Sequence, residues 1–352
     1  MKKKTAIVIT NGYLGKLQAK TCHGLLRGTD RFEVLAVIDS SKAGEDSGLV
    51  MEGKANGIQV YKSVESYLQQ GGEKPYYCVV GVAVEGGLLP EHFRLELFYA
   101  IDQGMSIVCG LHTILSEDPD FKQLAEKHQV ELIDVRKPRA FHELHFWTGK
   151  IYQIDIPKIA VLGIDCAVGK RTTCRWIMEI CQEHGIPAEM IYTGQTGWLQ
   201  GYKHGFIFDS TLNDFIGGEI ERAIVECAEQ SKPDLILVEG QSALRNPSGP
   251  CGSEFIISGN IKHVVLQHAP GRTYYDDDPK IGIPLPSIES EMELIRFYGA
   301  EVIAICLSEE GMEEHEITSY QEKLESSIGI PVLRPLKEGM GRLLPVIRNL
   351  LP

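Results

Sequence analysis

Eleven short apolar runs rich in β-branched residues recur along the chain, and most of the stretches between them are long enough to hold a helix. Strands of that composition are buried on both faces, and helix-sized gaps suit crossover connections, so the pattern points to parallel sheets covered on either side. Five runs come first: TAIVIT (5–10), FEVLAVID (32–39), YYCVVGVAV (76–84), MSIVCGL (105–111) and VELIDV (130–135). Six more follow the polar, aromatic stretch RKPRAFHELHFWTGK (136–150): IPKIAVLGI (156–164), AEMIYTG (188–194), DLILVEG (234–240), HVVLQHA (263–269), EVIAICLS (301–308) and IPVLRPL (330–336). Helical periodicity fills 169–184, 214–229, 287–298 and 318–327. A chain of 352 residues exceeds a usual single core. The expected fold class is α/β: two tandem three-layer domains with mostly parallel sheets, meeting near 140–150 and written as residues 1–145 and 146–352.

In an open parallel sheet a ligand sits beyond the carboxyl ends of the strands. Four turns of the second domain lie there, 163–173, 193–201, 239–252 and 267–273, all rich in glycine and polar groups. The first, GIDCAVGKRTT, has the order of a phosphate loop: Gly163 after a strand, Gly169 and Lys170 opening a helix, Thr172 and Thr173 following. Such a loop turns backbone N–H groups onto one anion, brings lysine to the terminal phosphates and offers a hydroxyl to magnesium. Here the spacing between the glycines is one residue longer than standard, and Arg171 stands where the hydroxyl belongs. Phosphate binding survives that change better than metal-assisted phosphoryl transfer, because a guanidinium holds a diphosphate bidentately. A purely structural strand-to-helix turn is the alternative. Glu239, ending DLILVEG, and Asp165, inside the loop, are acids placed to organise magnesium and water or to serve a substrate amine; a carboxylate hydrogen-bonded to turn amides is the other reading.

With these residues assembled, the chain resembles, over essentially its full length, a bacterial and archaeal family that includes the D-glutamate N-acetyltransferases. The resemblance rests on GIDCAVGKRTT together with YTGQTGW (192–198), DFIGGEIE (214–221), LVEGQSALRNP (237–247) and LQHAPGR (266–272). It implies a Rossmann-like N-terminal domain and a C-terminal domain like those of P-loop nucleoside triphosphatases. It also implies transfer of an acetyl group from acetyl-CoA to the amino group of D-glutamate or a close amino acid. The loop is also similar to that of dethiobiotin synthetase, which keeps an ATP-dependent kinase or ligase open; a regulatory CoA- or nucleotide-binding module without catalysis is the third reading.

On the acetyltransferase reading, Gly163, Gly169, Lys170, Arg171, Thr172 and Thr173 surround a phosphate of the donor, with a magnesium requirement left open. Proton removal from the ammonium calls for a base: Glu239 first, Asp165 second, His268 third. Gln195 or the amides of 193–197 face the developing oxyanion. Arg245 and Arg272, with Arg171, suit the acceptor's carboxylates, and Gln241, Ser242 and Asn246 add hydrogen bonds to it. Trp198 and Tyr202 either cover the donor or pack in the core. Cys166 and Cys174 have no sequence partner that marks them as activated nucleophiles.

The formal charge of −13 argues against broad adhesion to nucleic acid or anionic membrane. No run of apolar residues is long enough to span a bilayer, and the cytoplasm is the expected compartment. Nine scattered cysteines without a CxxC pair read as buried thiols. Gly12, Gly15 and Asp39 approximate a dinucleotide fingerprint, but the glycine pattern is incomplete, and a retained scaffold is the better reading. His142 and His145 in HELH lack a third ligand nearby, so no metal is expected. YYDDDPK (274–280) reads as a solvated acidic turn. The expected partners are a small amino acid, acetyl-CoA and further copies of the chain in a homo-oligomer.

Overall fold

The computed structural model describes residues 3–351. The chain forms two tandem α/β domains, the first Rossmann-like and the second P-loop-like, each built on a wholly parallel sheet.

The first unit holds β1 (Lys4–Ile9), β2 (Phe32–Ile38), β3 (Val60–Tyr61), β4 (Tyr77–Val80), β5 (Ser106–Cys109) and β6 (Leu132–Asp134) in the order β3-β2-β1-β4-β5-β6. Its helices are α1 (Lys20–Arg27), α2 (Ser47–Glu52), α3 (Val64–Gln69), α4 (Glu91–Asp102) and α5 (Pro119–His128). The strand order reverses between β1 and β4, the topological switch where doubly wound sheets bind dinucleotides. Asp39, after β2, is turned to another task there. Its buried carboxylate accepts from Thr10 Oγ1 and Gly12 N at 2.8 Å, from Leu14 N at 3.0 Å and from Ser41 Oγ at 2.6 Å. Burial pushes its pKa up, but these donors outweigh it and hold the group below the usual carboxylate range. The acid that would meet a ribose instead ties the β1 turn together.

The second unit holds β7 (Lys158–Gly163), β8 (Ala188–Tyr192), β9 (His204–Gly205), β10 (Leu235–Glu239), β11 (His263–His268), β12 (Glu301–Leu307) and β13 (Val332–Leu333) in the order β13-β12-β11-β7-β10-β8-β9. The helices along this half are α6 (Lys170–Glu183), α7 (Gln195–Gln200), α8 (Asn213–Gln230), α9 (Ser253–Ser258), α10 (Ile288–Phe297), α11 (Glu314–Ile328), α12 (Pro335–Glu338) and α13 (Leu344–Arg348). Every residue of β7 and β10 is buried, as central strands covered on both faces require. Alternate residues of those strands, Ala160, Leu162, Ile236 and Val238, join Val264 and Leu266 of β11 in a core with α8 and α9.

Seen from compactness, the first unit runs to Pro138 and also takes Gln195–Tyr202; the second takes Arg139–Gly194 and the chain from Lys203 onward. Residues 139–150, around the expected border, thus all lie in the second unit. The excursion 195–202 is the part of the architecture that the pattern of runs does not announce. Within the first unit α7 lies on α1: Thr196 Oγ1 is 3.3 Å from Thr21 Oγ1, Gln200 Nε2 donates to Gly24 O at 2.8 Å, and Leu199 joins the core. Among the described residues no helix is long and apolar enough to cross a membrane.

Candidate active site

Strand β7 delivers Gly163 to the loop, and α6 leaves it at Lys170. Two positions demand glycine. A Cβ on Gly163 would lie 2.8 Å from Val168 Cγ2, and Gly169 has φ of +104°, left-handed backbone that L side chains rarely adopt. No side chain caps α6 at Gly169, so the first turn has the form of an anion cradle, with the helix dipole adding its positive end. Inside the loop, the buried Lys170 ammonium donates to Asp165 O at 2.6 Å and to Ser242 O at 2.7 Å. The turns at 163–173 and 239–252 are thereby joined through one cation. Thr172 is half-buried on the first turn of α6, whereas Thr173 is buried and its hydroxyl is bonded by Gln267 Nε2.

Glu239 ends β10, the strand beside β7. Its side chain is buried, and its Oε2 accepts from Thr193 N at 3.2 Å. Burial pushes its carboxyl above the usual glutamate range, against the nearby charges of Arg171 and Lys170 and the amides of Thr193 and Gly194. A carboxyl so placed exchanges a proton more readily near neutrality than an exposed one. Thr193 Oγ1 donates to Glu239 O at 2.7 Å and accepts from Gln241 Nε2 at 2.8 Å, which fixes the β8 and β10 ends against each other.

Asp165 is held differently. Its fully buried carboxylate accepts from Cys166 N at 2.7 Å, Asn246 Nδ2 at 3.2 Å, Arg272 Nη1 at 2.9 Å and Asp276 N at 3.0 Å. Arg272, itself buried, also donates to Cys166 O at 2.9 Å and to Glu310 at 2.7 Å. Burial works against the guanidinium's charge, but Glu310 and Asp165 outweigh it and raise the Arg272 pKa. Three of the four turns singled out in the sequence therefore meet at one carboxylate, together with the acidic turn. Asp165, Cys166 and Asp276 bring ligand-type atoms within 4.8 Å of one another, but Asp165 is already surrounded by N–H donors, an environment that favours no cation.

The remaining candidates are distributed around this centre. Asn246 is fully buried; its Oδ1 accepts from Ser248 N and Oγ at 2.9 and 2.7 Å. Ser242 Oγ lies 3.4 Å from Cys166 Sγ. Arg245 pairs with the buried Glu291 at 2.6 Å and reaches Ser290 Oγ at 3.0 Å. His268 alternates with Gln267 along β11, so Gln267 faces α6 and His268 faces the opposite side, where its Nε2 meets Tyr320 Oη at 2.6 Å. Burial drops its imidazole to about 4. Gln195 opens α7 and lies with the first unit, its side chain against Gly110. Trp198 does too, with the Arg31 guanidinium 3.9 Å over its ring. Burial pushes the Cys166 and Cys174 thiols up, away from nucleophilic thiolate. Sequence reasoning included Thr193, Gln267 and Asp276 only within turns, and Glu310 not at all, and it assigned none of the four the bond it makes. Alternation in LQHAPGR was a usable signal for Gln267; the other three are joined to the site only by folding.

Comparison with known proteins adds to this geometry. A family described as the DUF1611 C-terminal P-loop domain, a domain of unknown function, matches residues 145–344, and its Rossmann-like N-terminal domain matches residues 40–138. The chain belongs to the DUF1611 family. It is 30% identical to a D-glutamate N-acetyltransferase of Pseudoalteromonas over 269 residues, covering 74% of this chain and 78% of the relative. It is 26% identical to another D-glutamate N-acetyltransferase, from Tritonibacter scottomollicae, covering 76% and 80%. A crystal structure of a DUF1611 family protein from Anabaena variabilis superposes with a TM-score of 0.88 at 25% identity, over 99% of this chain and 100% of that one. That relative shares the two-domain plan over its full length.

Proposed function

We propose that this DUF1611 protein transfers the acetyl group of acetyl-CoA to the amino group of D-glutamate or a closely related acidic amino acid. The observation that carries the reading is the buried carboxyl of Glu239, raised above the usual glutamate range by burial and set within the field of Arg171 and Lys170 at the start of α6. An anion cradle beside a tuned base is what acyl transfer from a phosphorylated carrier requires. Likeness to enzymes named D-glutamate N-acetyltransferase supports the choice of acetyl group and acceptor.

Acetyl-CoA supplies an activated thioester and a diphosphate. The left-handed turn at Gly169, the Lys170 ammonium and Arg171 suit that diphosphate, and with Arg171 in place of a hydroxyl no step here depends on magnesium. Gly163 and Thr172 shape the cradle, while Thr173 holds α6 to β11 through Gln267. Glu239 takes the proton from the acceptor's ammonium. The amine nitrogen then bonds to the thioester carbonyl carbon, the carbon–sulfur bond breaks, Glu239 returns its proton to the departing sulfur, and the nitrogen sheds its second proton to solvent, leaving a neutral amide and free thiol. Asp165 and Arg272, occupied with each other and with loop groups, act as the clamp that keeps the cradle in shape. The acceptor's carboxylates then fall to Arg171, with Gln241 as a hydrogen-bonding neighbour, while Arg245 is held by Glu291 and Ser290.

A second reading has one observation in its favour. A carboxylate at the end of the strand next to the loop strand is also how nucleoside triphosphatases organise metal and water, which suits an ATP-dependent kinase or ligase. The test is incubation with acetyl-CoA and D- or L-glutamate while following thiol release. Thiol release that depends on the amino acid supports the proposal. ADP formation from ATP that depends on the amino acid, without thiol, replaces it with the second reading; binding without either product leaves a regulatory module.

A further inference from the structure

The signature GGEIE on α8 takes no part in the site described above, yet three of its residues, Gly218, Glu219 and Glu221, hold a separate segment in place. Residues 139–153 lie along α8 as a strap. A Cβ on Gly218 would overlap the carbonyl of His145, so this glycine admits the strap's backbone directly onto the helix, while one on Gly217 would stand 3.0 Å from Ser258 Oγ of α9. Glu219, fully buried, accepts from His145 N and Nδ1, both at 3.0 Å, and from Arg222 Nε at 2.8 Å, and it pairs with Arg139. Glu221, also buried, accepts from Thr148 N at 2.6 Å, Thr148 Oγ1 at 2.8 Å and Ile151 N at 3.1 Å. Burial pushes both carboxyls up, but these partners outweigh it and hold them ionised. Two desolvated carboxylates and a close backbone contact therefore fix the strap rigidly.

What the strap presents is large and apolar. Phe141, Phe146 and Tyr152 are 70%, 64% and 63% exposed, and Trp147 is 43% exposed. Phe215 of α8 joins them, its ring centroid 4.5 Å from Phe146 and 6.1 Å from Phe141. Trp147 Nε1 donates to Ser258 O, beside the exposed Ile257, and Leu212 at the head of α8 is exposed as well. At ~150–250 Å² for each aromatic side chain, these exposures come to roughly 650 Å² of contiguous apolar surface. That exceeds the ~300–600 Å² of the largest patch on a usual monomer, and it approaches the ~800 Å² each partner contributes to a standard interface.

We propose that this face, formed by α8 and the strap 139–153, is a two-fold interface on which a second copy of this chain sits. Twice the apolar area alone reaches the size of a stable interface. The charges bordering the aromatic cluster are of both signs, with Arg139 and Lys150 against Glu143 and Asp214. The chain's formal charge of −13 disfavours an anionic membrane or a nucleic acid as the occupant. A two-fold contact places α8 against α8 and each aromatic cluster against its copy.

The test is sedimentation velocity on the full chain at micromolar concentration, with circular dichroism as a check of folding. The wild type sediments as a dimer. Phe146→Glu and Tyr152→Glu each raise the dimer dissociation constant roughly 100-fold or more, as loss of an aromatic anchor at an interface core does. Phe297→Glu, on an exposed position of α10, leaves it unchanged. A wild type that is monomeric throughout, or glutamate variants that stay dimeric, overturns the proposal. Hydrogen exchange on the wild type reads the same interface without a variant. Amides of 139–153 and 212–218 become more protected as concentration rises; protection independent of concentration overturns the proposal as well.

Discussion

Replacing Asp165 by asparagine tests whether the loop is held by the buried carboxylate. Its Oδ1 receives Cys166 N, Asn246 Nδ2 and Asp276 N, and its Oδ2 receives Arg272 Nη1 and Asp276 N. An asparagine presents an oxygen on one side only. With the amide nitrogen toward Oδ2 it meets the Arg272 donor at about hydrogen-bond distance; flipped, it meets Cys166 N and Asn246 Nδ2. Either way a donor faces a donor, and a buried guanidinium loses half of its counter-charge. Arg272 keeps Glu310 at 2.7 Å and Cys166 O at 2.9 Å, so the loss falls short of breaking an isolated buried pair, ~3–5 kcal/mol. It exceeds a single charge-assisted hydrogen bond, ~1.5–3 kcal/mol. The expected destabilisation is about 3 kcal/mol, or a drop of roughly 6–12 °C in the unfolding transition of the second unit. Differential scanning calorimetry measures it. The KM for the phosphorylated donor rises in parallel, because the cradle loses its clamp. A shift under about 2 °C with an unchanged KM would refute the reasoning and return Asp165 to the pool of candidate bases.

Three further outcomes are expected. Glu239→Gln lowers kcat by about 100-fold or more. In the wild type kcat falls as pH drops through a value above the usual glutamate range, because burial raises this carboxyl and only its ionised form accepts the proton; the variant's pH profile lacks that limb. The same shift makes the folded chain bind more protons than the unfolded one, so Glu239's contribution to stability declines as pH rises through it. Lys170→Ala leaves Asp165 O and Ser242 O without their ammonium donor and raises the donor's KM by about 10–100-fold, more than it lowers kcat, in steady-state kinetics. His268, dropped by burial from 6.5 to about 4, is neutral when folded. The unfolded chain binds the extra proton between those values, so the stability it contributes is full above 6.5 and is lost as pH falls toward 4, by about 3 kcal/mol. Thermal unfolding from neutral pH downward should show a shallower decline for His268→Gln than for the wild type.

Several features of the candidate site were legible because their signal is local. Gly163, Gly169 and Lys170 are specified by steric and electrostatic demands within a dozen residues, and Glu239 by its place at the end of an apolar run. Arg272 was legible as a strand-end cation, but the groups it holds were not. Its partners Asp165 and Glu310 lie 107 and 38 residues away, and only their convergence distinguishes a clamp from a ligand-binding arginine. The same is true of Asp165, whose residue type alone is compatible with a base, a metal ligand or an anchor. Gln195 and Trp198 stand within the conspicuous YTGQTGW stretch, yet short helix α7 packs in the first unit.

The sequence by itself determined the α/β class, the two sheets and the position of the phosphate-type loop. Each follows from hydrophobic period and glycine geometry, which act over a few residues. The tertiary structure alone decided the short strands β3 and β9, two residues each and paired only because a neighbour offers its edge. It also decided that 195–202 joins the first unit and that GGEIE grips the strap. These depend on burial, and burial is a property of residues far apart in the chain that meet only after folding has paid for their meeting.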